Sequence, residues 1–360
     1  MFLLALCLAL AQPPLSDQIA RIDAEFAALE KSFDEELRAA GGDEKKVTEA
    51  NETYQAKWFG FIDELNALIK AHPEDPAALD GLILLTGAMR SFLDVELLQI
   101  ALRNRDDERM GRLCFNVRYR GGEPWAEGIV KAVAESNPSR EVRGQAVFCR
   151  GYLCRAAAFP YGQSVSEKER DKLVARARGF FNEVIEKYAD VKTPDDDADA
   201  TIGERAASEL TRFDNLPNLK VGGVAPEIGG KDLEGKPLRL GDYRGKVVVV
   251  VFWGSWCGPC MAMVPHEREL WERHRDEPFT LLGVNCGDTL EQARKTADDN
   301  RMDWPSFYDG EDHRGPIATS YDVQKYPTVY VIDAKGVIRY IDTRGKELEE
   351  AVETLLAELK

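Results

Sequence analysis

Two different rhythms of apolar residues divide the chain. From Ser16 to about Leu219, apolar positions recur every three or four residues, the spacing that lines one face of an α-helix. Ile19, Ile22, Phe26, Leu29, Phe33 and Leu37 make one such stripe, with Ser16 as the expected N-cap and Gly41-Gly42 as the stop. Trp58, Phe61, Ile62, Leu65, Leu68 and Ile69 make the next, closed by His72-Pro73. A third begins near Pro76 and holds Leu79, Leu82, Ile83 and Leu85. Further helical patterns cover about 91–103, 105–118, 123–136, 139–158, 166–189 and 201–213. This succession fits either an irregular helical-repeat array, with FFNEVIEKYADV as the second helix of a repeat, or an ordinary bundle. No clean period chooses between them. The run KTPDDDADAT (192–201) reads as a solvated loop, since its aspartates lack the glycine turn and closing Glu of a calcium loop.

Around Val221 the rhythm shortens. VGGVAPEIGGKDLEGKPLRLGDYRGK carries short alternating segments and a turn at Glu234-Gly235. VVVVVFW (247–253) is a continuous apolar run, as in a strand buried on both faces. A helix then opens at a cysteine pair. Strand FTLLGVNC (279–286), a helix from near Thr289, strand PTVYVID (327–333), a turn at Lys335-Gly336, strand VIRYID (337–342) and a helix over about 346–359 follow. Strands alternating with helices predict an α/β domain of about 140 residues.

The length of 360 residues suits two domains, and 44% hydrophobic with 31% charged residues suits globular folding. A net charge of −16 excludes nucleic-acid or anionic-membrane binding through a general positive field. The opening MFLLALCLALA, ending in the small-x-small pattern Ala9-Leu10-Ala11, reads as a cleaved secretory signal over 1–11, although no Lys or Arg precedes it. It is too short to span a bilayer, which takes about 20 apolar residues. Export places the remaining cysteines, Cys114, Cys149, Cys154, Cys257, Cys260 and Cys286, where disulfides persist.

Cys257-Gly-Pro-Cys260 is the segment that carries chemistry. A zinc site would need a second Cys pair or paired His, and neither Cys286 nor His266, His274 or His313 supplies one. The redox reading rests on position. Cys257 follows a buried strand and opens a helix, where free N–H groups and the helix dipole favour a thiolate. Pro259 fits the first turn, and Cys260 lies within reach of the Cys257 sulfur. Cys149 and Cys154 are five apart in one helix, roughly 8–9 Å, too far for a disulfide. Cys114 could pair with one of them across helices, but packed thiols are the favoured reading. Cys286 reads as a small core or edge residue, an accessory redox role having no motif behind it.

WCGPC after an apolar strand resembles the thioredoxin fold. With APEIGGKDLEGKPLRLGDYRGKVVVVVFWGSWCGPC, LLGVNCGDT and ATSYDVQKYPTVYVIDAKGVIRYID in order, residues 221–360 are similar to the TlpA/ResA branch of exported thiol–disulfide oxidoreductases, near the redoxin (AhpC/TSA) group. The resemblance implies that Cys257 attacks and Cys260 resolves. It implies that Trp256, Gly258, Pro259, Tyr326 and Pro327 face the substrate, with Pro327 as a cis-proline, and that Trp253 packs beneath the loop. The Cys257–Cys260 disulfide would be the redox group, with no other cofactor and no metal. Two departures stand out. The position six before Cys257 is Val251 instead of the Asp of thioredoxins. The position six after it is Met263 instead of the Glu of ResA-type proteins. Without either carboxylate, deprotonation of Cys260 falls to water or another group; Glu267 is a candidate only by proximity and reads as part of a solvated helix face.

The expected architecture is therefore multidomain: a signal peptide (1–11), an all-α helical domain, either repeat-like or a bundle (12–215), and an α/β thioredoxin-like domain (221–360). The expected function is an exported, periplasmic or envelope protein-disulfide reductase acting by thiolate exchange. Its partners would be disulfide-containing client proteins and an upstream thiol donor, with no nucleic acid and no membrane span. One alternative is a partner-binding protein whose helical half recruits clients. The other, thiol peroxidase, lacks its Thr three residues before the nucleophile, where Gly254 stands.

Overall fold

The computed structural model describes residues 13–41, 43–160, 164–194 and 200–360. The expected signal at 1–11 and the middle of the 192–201 run lie outside the described residues. The chain divides into two compact units, Met1–Asp195 and Asp196–Lys360.

The first unit contains α1 (Leu15–Ala40), α2 (Glu44–Ala71), α3 (Ala78–Thr86), α4 (Val95–Arg103), α5 (Met110–Val117), α6 (Pro124–Ser136), α7 (Arg140–Ala158) and α8 (Glu167–Lys187). Each follows from an amphipathic stripe: in α1, Ile19, Ile22 and Phe26 are buried. Ser16 is not the cap of α1. Pro14 occupies that position, and Gly41 ends the helix in the left-handed region at φ 56°. α7 packs on α5, α6 and α8, and it contributes Phe148 and Tyr152 to an aromatic cluster with Phe115 and Phe181. Cys114, Cys149 and Cys154 are buried here, and burial raises the pKa of Cys114 and Cys154.

The second unit begins with α9 (Ile202–Asn215), which the sequence placed in the helical domain drawn to residue 215. The division falls earlier because α9 packs on α12 (Pro316–Ser320) and is tied to its end. Arg212, 2% exposed, donates through Nε and Nη2 to Asp322 Oδ1 at 2.8 and 2.7 Å, and Asn215 Nδ2 donates to Ser320 O at 3.0 Å. The hairpin of β1 (Gly229–Lys231) and β2 (Pro237–Arg239) turns at the expected Glu234-Gly235. The main sheet comprises β3 (Val247–Trp253), β4 (Phe279–Asn285), β5 (Ser306–Tyr308), β6 (Thr328–Ile332) and β7 (Ile338–Ile341), in the order β5-β4-β3-β6-β7. β3 runs parallel to β4 and antiparallel to β6. All seven residues of β3 are buried, as the uninterrupted valines predict. Their alternation separates two cores. One holds Val247, Val249, Val251 and Trp253, and the other Val248, Val250 and Phe252. α10 (Gly258–His274), α11 (Leu290–Asp299) and α13 (Gly345–Ala357) supply residues to the first. The central sheet with its flanking helices is a thioredoxin-like fold.

Candidate active site

A buried strand that ends abruptly and feeds a helix leaves the first N–H groups of that helix without backbone partners. Cys257 fills this role for α10. It is the N-cap, with extended backbone, and its sulfur accepts from the Cys260 N–H at 3.2 Å. Pro259 sits in the first turn, where it gives up no hydrogen bond. Cys257 and Cys260 form a disulfide with an S–S distance of 2.05 Å.

The loop before the pair is clamped from below. Ser255 donates from its N–H and its hydroxyl to the Asp288 carboxylate, at 2.8 and 2.5 Å. Asn285 Nδ2 donates to the same carboxylate at 2.7 Å. Trp256 lies over this platform, its Nε1–H donating to Cys286 O at 2.9 Å. The close approach requires glycine at 254: a Cβ there would meet Trp256 Nε1 at 2.2 Å and Cys286 O at 2.7 Å. Thus Gly254, read above only as a missing peroxidase threonine, has a steric reason of its own.

Around the pair, Trp256, Gly258 and Pro259 are exposed, Tyr326 is half-buried and Pro327 is buried. The Tyr326–Pro327 peptide bond is cis. The Trp256 ring meets Tyr326 edge-on at 5.1 Å and His313 at 4.3 Å. Trp253 is buried in the same core cluster as both cysteines. The structure thus brings Trp256 and Tyr326 together beside the pair's loop. Cys257 is only 4% and Cys260 only 2% exposed, so in the disulfide form the pair is covered. One expectation changes. Glu267 is not on a solvated face: it is 3% exposed on the core side of α10, and burial pushes its pKa up to about 7.

Asp288 and Asp309 are neighbours that sequence reasoning did not single out, and His313 was named there only as a histidine unpaired for zinc. Asp309 is buried under the Cys286 thiol (Sγ to Oδ2 3.8 Å) and accepts from the N–H groups of Ile317 and Ala318, both at 2.7 Å. Burial outweighs those bonds and pushes its pKa up to about 7. Cys286 is a fully buried free thiol, raised well above the ordinary range by burial. It belongs to the core on the opposite side of the sheet from the pair. Asp288 was legible only as the Asp of the NCGDT segment. Among the described residues, no cluster of His, Cys, Asp and Glu is placed to hold a metal ion, and no helix is long and apolar enough to cross a membrane.

Comparison with known proteins matches residues 221–341 to the AhpC/TSA family. The chain is 34% identical over 148 residues to the thiol-disulfide oxidoreductase ResA of Geobacillus kaustophilus, covering 41% of this chain and 83% of that one. It is 31% identical over 141 residues to a thioredoxin-like protein of Bacillus subtilis, covering 38% of this chain and 80% of that one. Among solved structures, it is similar to the thioredoxin domain of a thiol-disulfide oxidoreductase from Bacteroides vulgatus, with 29% identity, coverage of 38% and 98%, and a TM-score of 0.36.

Proposed function

Since the chain belongs, through its C-terminal unit, to the ResA family of thiol–disulfide oxidoreductases, we propose that Cys257 and Cys260 are its redox pair and that it reduces disulfides in exported client proteins. The observation that carries this reading is the seat of Cys257 at the start of α10, disulfide-bonded to Cys260 and receiving its N–H. In the reduced state the same N–H groups and the helix dipole stabilise a Cys257 thiolate.

The thiolate attacks one sulfur of a client disulfide. The client's second sulfur leaves as a thiolate, and a Cys257–client disulfide remains. Cys260 then attacks Cys257, the Cys257–Cys260 bond forms, and the client's first sulfur leaves. Two electrons pass to the client, which takes up two protons. An upstream thiol donor restores the dithiol. Trp256, Gly258, Pro259 and the Tyr326–Pro327 backbone would contact the client beside the reacting sulfur. The apolar leader at 1–11 supports export to the periplasm or cell envelope, where such disulfides occur. The first unit exposes Phe59, Phe92, Val95 and Tyr119, apolar side chains suited to holding a client.

Insulin reduction by the full chain with dithiothreitol as donor tests the assignment. The wild-type protein should accelerate precipitation of the reduced B chain, and Cys257→Ser should abolish the acceleration. Wild-type protein no faster than dithiothreitol alone would overturn it.

A further inference from the structure

Glu267 is a buried carboxyl that the scheme above leaves unused. Its place follows from its neighbours on α10. His266 Nε2 lies 2.9 Å from Gly345 O, at the start of α13, while Arg268 Nη1 donates to Asn300 O, just past α11. Glu267 lies between these two directions and therefore faces the sheet. At the far end of α10, the rings of Trp271 and His274 lie 6.4 and 5.9 Å from that of Phe279, the first residue of β4. Climbing back to Glu267 at about 1.5 Å per residue, against about 3.3 Å per residue along β4, brings it level with Leu281 to Gly283. Helical side chains tilt toward the N-terminus, so the carboxyl leans toward Gly283 and the cysteine end.

At Gly283 the sheet carries no side chain, and two other polar groups converge there. A Cβ on Gly283 would meet Ser306 Oγ at 2.2 Å and Trp253 Nε1 at 2.8 Å. Trp253 Nε1, Ser306 Oγ and Glu267 Oε1 are all buried and all without a hydrogen-bond partner in the protein. Trp253 Nε1 and Ser306 Oγ meet over this bare Cα, and the helix count brings the unpartnered Glu267 carboxyl to the same level; together they offer a water the two to four polar partners it requires. Its strand neighbour is Val251, paired with Gly283 and facing the same core. That is the position where thioredoxins carry their Asp. Here the helix delivers a carboxyl to the same layer from the opposite side.

We propose that Glu267, Trp253 and Ser306 hold a buried water over Gly283, and that Glu267 acts through it as proton acceptor for Cys260 during resolution of the mixed disulfide. This rests on the redox assignment above. The Cys260 thiol loses its proton by way of the water to the Glu267 carboxylate, and its sulfur attacks Cys257. The Cys257–client bond breaks, and the departing client thiolate takes a proton from solvent. Glu267 returns its own proton to solvent before the next cycle. No charged group enters the causes of the Glu267 shift, which is burial alone. The charged groups nearby are engaged elsewhere: Arg273 with Glu349 and Glu353, His274 with Glu277, and Arg294 with Leu233 O.

The test uses the reduced full chain and a stoichiometric chromogenic aryl disulfide. Attack by Cys257 releases the first aryl thiolate, and resolution by Cys260 releases the second. Glu267→Gln should leave the first phase unchanged, slow the second about tenfold or more at neutral pH, and remove an inflection near pH 7 from its pH profile. A second phase with wild-type rate and profile in Glu267→Gln would overturn the proposal. Absence of the first phase in the wild type would instead sink the redox assignment. Should the variant fail to fold, a crystal structure of the wild type decides. A water within hydrogen-bond reach of the three atoms is expected, and empty density there would overturn the proposal.

Discussion

A carboxyl in an apolar core has a thermodynamic signature independent of catalysis. The folded chain holds Glu267 at about 7, against an ordinary value of 4.5. The fold therefore favours the protonated form. The associated stability is fully present below pH about 4.5 and is lost as pH rises through about 7. At 1.36 kcal/mol per unit, the loss is on the order of 3 kcal/mol. Chemical denaturation of wild type and Glu267→Gln between pH 4.5 and 8 should show the variant gaining by that amount relative to wild type. A constant difference across the range would show that Glu267 is not held protonated. Close packing makes a second prediction at Gly254. Alanine there drives a methyl into the Trp256 indole and the Cys286 carbonyl, and should cost about 1–3 kcal/mol in the same assay. Unchanged stability would mean that the loop yields freely.

At the scale of elements, the long or strongly patterned segments were legible. The valine run gave β3, and the apolar stripes located the helices of the first unit, although the Trp58–Ile69 stripe marks only the second half of α2 (Glu44–Ala71). What the sequence hid was short or depended on tertiary contact. β5 and α12, three and five residues long, carry too little periodicity to read. The inward face of α10 was misread because Pro265 and Glu267 break its apolar stripe. In the candidate site, the cysteines and Pro327 were readable as a motif. Asp288, His313 and the Gly283 layer were not, because they come from separate strands and loops that only the fold brings together. The placement of α9 was hidden for the same reason. Arg212 gives no sequence sign that its partner is Asp322, 110 residues away. A fragment starting at residue 200, with α9, should therefore be more stable to denaturant than one starting at 221, by about 2 kcal/mol, since it keeps the α9–α12 packing and the buried Arg212 on Asp322. Equal midpoints would mean that α9 adds nothing to the second unit.

For the whole molecule, a redox unit is joined to a helical unit whose described residues include Cys114, Cys149 and Cys154, all buried. Those thiols are shielded, which leaves the redox chemistry to the second unit. If the helical unit serves to hold clients, deleting residues 13–194 should leave reduction of small disulfides within about twofold, while turnover of a protein client falls tenfold or more, as loss of a separate binding module does. Equal loss on both substrates would assign that unit a structural role. The account rests on one sulfur. Alkylation of the reduced full chain, followed by mass spectrometry over a pH series, reads its ionisation directly. The prediction is that Cys257 is the first thiol modified, reacting at pH values where an ordinary thiol is still protonated, with Cys260 slower and the buried cysteines silent. Modification of Cys257 no earlier in pH than a free cysteine, or after Cys260, would contradict the account.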